Sequence, residues 1–286
     1  MARSSLVFSV ILCAFLLGAF SKTIADDRVQ QKPLAVHMRY LGRNLAGQEV
    51  VETSHFRIFH NQKNELVEGI VLIADKTRMA AAHRWFGNNG DAWESKCEII
   101  LHANALEYIR LTGSNALPGV TTISIDKSGQ RVLTRRIDLC FDAANMAEDV
   151  LPHEVTHVVL AGQFGRYLPP RWADEGIAEL SESSKRVSQY RSNLIKLSKD
   201  RTVFGLKELM LTKDYPAAAR MEMFHAQSAC LVDFLAQERD SKVFIVFVRD
   251  GLRDGYEAAL LRHYKMNFVD LEKKWQQFLV TDAKGR

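Results

Sequence analysis

The chain has 286 residues, 47% of them hydrophobic and 25% charged, which is near the globular average and enough for one sizeable core. Its formal net charge of +4 drops to +2 if Arg3 and Lys22 leave with an N-terminal leader, so charge gives no argument for a nucleic-acid or anionic-membrane partner. The sequence also lacks a basic tract, a glycine-rich phosphate loop and an internal repeat.

Residues 1–25 have the pattern of a signal peptide. Arg3 supplies a basic start, residues 6–20 are almost wholly apolar, and Thr23, Ile24 and Ala25 offer small residues for cleavage. Export to a periplasmic or extracellular space follows. The apolar run is shorter than the roughly 20 residues that a spanning helix needs, and the alternative is an uncleaved N-terminal membrane anchor. Cys13 follows Leu12 rather than a small residue, which argues against a lipoprotein signal. No later stretch is long and apolar enough to span, so no membrane span is expected after cleavage. The oligomeric state is left open.

Residues 26–49 are polar and are expected to form a loose extension before a single domain at 50–286, divided into an α/β lobe (50–145) and a helical lobe (146–286). HFRIFH at 55–60 alternates apolar and polar residues and reads as a strand. Leu66, Ile70, Ile73, Ala81 and Trp85 then mark one face of a long helix that Gly87 and Gly90 terminate and that should lie on the sheet. CEIILH at 97–102 is a strand of the type favoured in sheet interiors, followed by a short helix at 106–111. Residues 121–126 and 131–140, joined by the turn at 127–130, read as a β-hairpin.

Three cysteines remain after loss of the leader: Cys97, Cys140 and Cys230. In an oxidising compartment an odd count allows one disulfide, for which Cys97 and Cys140 are the favoured pair because they open and close neighbouring strands; buried thiols are the alternative. CxxC spacing is absent, which argues against a cysteine metal site.

The chemistry concentrates in HEVTH, residues 153–157. Asp149 is in place to cap this helix, and Pro152 sits in its first turn, where a missing N–H does little harm. His153 and His157 lie one turn apart on a single helical face, so both imidazoles can reach one cation. Glu154, one step round the helix, is placed to take a proton from water as a general base rather than to ligate. A catalytic zinc needs a third protein ligand. Gly162 and Gly165 should end the helix, and residues 166–170 form a link to a second helix at 172–180, WADEGIAEL, where Glu175 is the favoured third donor. Trp172, Ile177 and Leu180 are available for packing, and Gly176 permits close backbone approach. Glu179, one turn after Glu175, is expected to accept the remaining ring N–H of a ligand histidine. Residues 184–279 read as helices with breaks near Gly205, Tyr215-Pro216, Asp250-Gly251 and Gly255. Phe224, Ser228, Leu231 and Leu235 form one stripe, and Phe268, Leu271, Trp275 and Phe278 another; both are core rather than membrane anchors.

HEVTH followed by DEG, with Glu175 eighteen positions beyond His157, resembles the gluzincin zinc metallopeptidases, and LPHEVTHVVL with LPPRWADEGIAEL looks like the uncharacterised secreted bacterial branch of the peptidase-MA-like family. The motif-bearing likeness covers residues 149–182. It implies an α+β fold: a small N-terminal mixed sheet with a packed helix, then a mainly helical C-terminal half, and a zinc cleft at the junction as in a thermolysin-like catalytic core. It implies His153, His157 and Glu175 as ligands to one Zn2+ per chain, Glu154 as base, and Glu179 in support. The family usually places a Tyr or His on a later helix to stabilise the oxyanion, and FHAQS puts His225 at that position. The hairpin's residues 119–124 stand where the family pairs an edge strand with extended substrate, a plain structural hairpin being the alternative.

The function so implied is hydrolysis of peptide bonds in a peptide or protein substrate by a metal-activated water, and the lack of a signature for gripping a free N-terminus favours endopeptidase action. The rival is an inactive peptidase-like protein that binds peptides or an envelope protein. A third reading, a helical scaffold without metal, predicts no stoichiometric zinc.

Overall fold

In FRIFH, buried Phe56, Ile58 and His60 alternate with half-buried Arg57 and Phe59, the pattern of a strand with one fully covered face. The computed structural model describes residues 36–284 apart from 91, 115–116, 130, 166 and 199–202, with the side chains of 280–284 also outside the description. The leader at 1–25 and the first part of the expected extension lie outside the described residues. The fold is mixed α+β.

Strands β1 (Arg39–Arg43), β2 (Glu49–Glu52), β3 (Phe56–His60), β4 (Cys97–His102), β5 (Gly119–Ile125) and β6 (Val132–Cys140) form one sheet in the order β1-β2-β3-β4-β6-β5. β1, β2 and β3 form an antiparallel meander, β4 is parallel to both β3 and β6, and β5 returns antiparallel at the edge. Parallel neighbours require crossovers. Helix α1 (Asn64–Ala81) supplies the first, and α2 (Ala105–Thr112) with β5 the second. The expected looseness before residue 50 is therefore corrected for β1. Its five side chains are all exposed, so no apolar alternation announces it; backbone pairing to β2 and the Arg39–Glu52 contact at 2.5 Å hold it.

Helix α1 presents Val67, Ile70, Val71 and Ala74 to the sheet, where Phe56, Ile58, Ile99, Ile137 and Leu139 complete a core shared with Leu151, Val155 and Val158 of α3 (Leu151–Phe164). Ile70, Ala81 and Trp85 of the expected stripe are buried and Ile73 packs against the core, but Leu66 is exposed and Val67 takes the inward position in the first turn. α1 then widens into a π-turn at Ala82–Phe86, stopped by Gly87 in the left-handed region at φ +71°. A second core lies in the helical half. It joins Leu160 and Phe164 of α3 to α4 (Arg171–Glu179), α5 (Ser184–Ser198), α6 (Leu206–Leu211), α7 (Ala218–Glu238), α8 (Ser241–Asp254), α9 (Tyr256–Tyr264) and α10 (Phe268–Lys284). α7 is buried on every face along its middle, as expected of a central helix. Thus α3 contributes to both cores, as α1 does through Ala81 at its end.

Three further expectations are corrected. Cys97 and Cys140 form no disulfide: β4 and β6 are parallel, Cys97 is level with Arg135 and Cys140 with His102, so the two sit at opposite ends of adjacent strands. All three cysteines are buried thiols. Asp149 does not cap α3, because a π-turn at Met146–Val150 precedes that helix; its carboxylate instead accepts the backbone N–H of Ser183 at 3.0 Å. Asp250 and Gly251 lie inside α8, which continues to Asp254 because Gly251 packs against Tyr256. No helix among the described residues is long and apolar enough to cross a membrane.

Candidate metal centre

α3 spends two of its faces on the two cores. The face left over carries His153 and His157, whose side chains are 15% and 14% exposed. α4 is seated beside it by Trp172 and Ile177, both fully buried. Gly176 fixes how close α4 comes to α7: a Cβ there would stand 2.5 Å from the Ser228 carbonyl oxygen and 2.6 Å from Val232 Cγ2, which no larger residue can do without movement. This seating delivers the Glu175 carboxylate to the histidine face.

The three atoms converge. His153 Nε2 and His157 Nε2 are 3.0 Å apart, and Glu175 Oε2 is 3.4 Å from the first and 3.8 Å from the second. Ligand atoms held about 2.1 Å from a tetrahedral metal lie about 3.3 Å from one another, so these separations have the right size. The outer ring nitrogens decide the matter chemically. His153 Nδ1 donates to Glu182 Oε1 at 2.8 Å, and His157 Nδ1 donates to Asp174 Oδ1 at 3.0 Å. Carboxylates only accept, so a neutral ring at either position keeps its proton on the outward Nδ1 and leaves Nε2 as the nitrogen that can ligate. Two ring nitrogens and a carboxylate oxygen thus face one point, an arrangement that a divalent cation satisfies.

Electrostatics agree. Burial alone would lower both imidazoles, but the hydrogen bonds that His153 donates to Glu175 and Glu182 outweigh it and hold His153 well above the usual range. For His157, burial is outweighed by the charges of Asp174 and Glu175, and the ring is pushed up to about 9. Burial would raise Glu175, yet the charge on His157 and the contact with His153 keep its carboxyl well below the usual range. Each shift reports a demand for positive charge at the same point.

Glu154 is buried and turned toward the edge strand rather than into the ligand set. Thr121 Oγ1 donates to its Oε2 at 2.6 Å, while a Cβ at Gly119 would lie 2.9 Å from its Oε1. β5 therefore borders the proposed base, and its outer edge is unpaired among the described residues.

Glu179 and His225 meet each other. His225 Nδ1 is hydrogen-bonded to Glu179 Oε1 and lies 3.9 Å from Glu175 Oε2. Helical spacing puts Glu179 against a ligand histidine; the structure gives that work to Glu182 and Asp174 and turns Glu179 toward α7. Burial pushes Glu179 up to about 7 against the pull of His225. Burial would lower His225, but its bond to Glu179 outweighs that and raises it. Glu175, Glu179 and His225 form a second set with ligand atoms within 4.8 Å of one another.

Five further residues complete the surroundings. Besides Asp174, Glu182 and Thr121, Tyr215 donates its hydroxyl to Glu175 Oε1, and Tyr190 donates to Glu182 at 3.0 Å. Asp174 adjoins Glu175 in the sequence and was open to notice. Glu182 lies past the end of α4 in a turn, and Tyr215 in a connection before α7, where helical spacing gives no guide. No family model matches this chain, and no curated protein matches it in sequence.

Proposed function

We propose that this chain is an exported zinc-dependent hydrolase of peptide bonds with a gluzincin-like core, acting as an endopeptidase. The observation that supports this most directly is the convergence of His153 Nε2, His157 Nε2 and Glu175 Oε2, with both outer ring nitrogens committed to carboxylates. These three residues would hold the ion. Zinc with two imidazole ligands and one carboxylate supplies a Lewis acid and lowers the pKa of a water at its open position toward about 7.

The rest is the work of this chain's side chains. Glu154 accepts the proton of the attacking water and passes it to the departing amine, which balances the hydrolysis without another acid. Thr121 holds one oxygen of that carboxylate at 2.6 Å, fixing its orientation while the other oxygen stays available. The free side of β5 offers backbone N–H and C=O groups to an extended peptide running past Glu154. Asp174 and Glu182 set the tautomers of the two histidines, and Tyr215 restrains the Glu175 carboxylate through its second oxygen. His225, tied to Glu179 by Nδ1, is the imidazole nearest to this group for a developing oxyanion.

Glu154→Gln tests the reading. Zinc content, measured by elemental analysis, should be unchanged, while cleavage of a broad peptide library, read by mass spectrometry, should fall by about 10²–10⁴-fold. A variant that retains metal and cuts as fast as the parent rejects the assignment of Glu154, and a parent chain that binds zinc but cuts nothing in the library favours the peptide-binding rival.

A further inference from the structure

At the opposite end of α3 from the first histidine, a cavity of about 160 Å³ is lined by Arg78, Trp93, Arg131, Arg135 and Gly162 among others. Three guanidinium groups in one small space require counter-charges. Arg78 has Asp75 at 3.2 Å and also donates to the Asn89 carbonyl, and Arg131 has Glu94 at 2.7 Å on the exposed rim. Arg135 has none. It is 7% exposed, and among the described residues no carboxylate lies within ion-pair distance of it.

Its hydrogen bonds are one-sided as well. Nη1 donates to the Ser95 carbonyl at 3.1 Å and to Ser95 Oγ at 3.0 Å, while Nε is buried with no partner. Nη2 makes no hydrogen bond among the described residues and lies beside Gly162, 3.7 Å from where a Cβ there would be. The guanidinium plane is further located by Trp93, whose ring centre is 5.1 Å away. A buried arginine stays charged, and leaving that charge and its Nε–H uncompensated is costly. The nearby C-terminal end of α3 offers partial negative charge. Its carbonyls are already in use, however: Gln163 O accepts from Arg249 at 2.9 Å and Ala161 O from Gly165 at 3.0 Å.

We propose that this cavity is a binding site for a small oxyanion, a carboxylate or phosphate group, received on the Nε–Nη2 edge of Arg135 once a small movement of its neighbours uncovers the buried Nε. That edge is the two-pronged donor that matches two oxygens of either group. The Ser95 contacts and the Trp93 ring hold it ready, and Arg131 at the rim adds charge at the mouth. The site is separate from the metal ligands and stands whether or not the chain hydrolyses peptides.

The test is calorimetric titration of the full chain with inorganic phosphate and, separately, with acetate, at ionic strength held constant with sodium chloride. Saturable binding in either arm is the expected result, and the arm that responds identifies the anion. Arg135→Lys keeps the charge but loses the fork, and should weaken that binding by about tenfold. Arg131→Gln should weaken it less. Equal binding by the parent and Arg135→Lys overturns the proposal, as does an absence of binding in both arms. Should Arg135→Lys fail to fold, a crystal of the parent grown with the responding anion decides: density on the Arg135 edge supports the site, and density elsewhere alone overturns it.

Discussion

The two ends of α3 are unbalanced in opposite senses. Near His153 and His157 two ring nitrogens and a carboxylate oxygen crowd one point that calls for positive charge, whereas near Gly162 a buried guanidinium edge has donors and no acceptor. A protein interior ordinarily pairs its polar groups. Surpluses of opposite sign at two ends of one helix therefore point to two different ligands, a cation at one and an anion at the other.

The strongest way to break the contrast is to remove the anionic member of the acceptor set. Glu175→Ala should lower zinc after purification from about one ion per chain to near none, by elemental analysis, because two imidazoles alone leave a catalytic-type site short of a ligand. Full zinc content in that variant would show that the acceptors are not a ligand set. Gly176→Ala comes next. Its methyl would strike the Ser228 carbonyl and Val232, so α4 must shift from α7, costing about 1–3 kcal/mol in denaturant unfolding and weakening metal retention with it. If stability and metal content both stay at parent levels, Gly176 is not what seats Glu175.

Glu182→Ala sharpens the tautomer argument. Loss of the acceptor for His153 Nδ1 should weaken zinc affinity by about 10–100-fold in competition with a chromophoric chelator. An unchanged affinity would mean that the inward lone pair does not depend on the outward bond. The smallest effect lies far from α3, at Glu52, where Arg57 and then Lys96 hold the carboxyl down to about 2 against burial. A depressed carboxyl stabilises the fold fully above its unfolded value of about 4.3 and loses that contribution as pH falls toward 2. Glu52→Gln should thus lower the unfolding free energy at pH 7 by on the order of 1 kcal/mol, since its partners are partly exposed, and flatten the parent's loss of stability between about pH 4.5 and 2. Parallel pH curves for the two proteins would remove Glu52 from the account.

What was legible in the sequence follows a physical rule. HEVTH and DEG could be read because helical periodicity puts His153 and His157 on one face, and because a glycine beside Glu175 signals close approach. Strands β3 and β4, α1, and the β5–β6 hairpin could be read from apolar alternation and turn residues. Features that depend on the return of the chain could not be read. Glu182 and Tyr215 reach the centre from a turn and a connection, and Glu179 faces α7 because the α4–α7 packing was not deducible from spacing. Asp149 was misplaced for a local reason: a π-turn has no 3.6-residue period, so it displaced the start of α3 from where a cap would stand. Nothing in the run 131–140 singles out Arg135, and only the fold shows it buried beneath Trp93.

Because Cys97 and Cys140 lie at opposite ends of parallel strands, the described fold carries no covalent cross-link, and its buried thiols are divided between regions. Cys97 belongs to the sheet core and Cys230 to the helical one. A thiol-reactive dye should therefore act as a stopwatch, its order of labelling during unfolding telling which half gives way first, with reductant making no difference to the melting point.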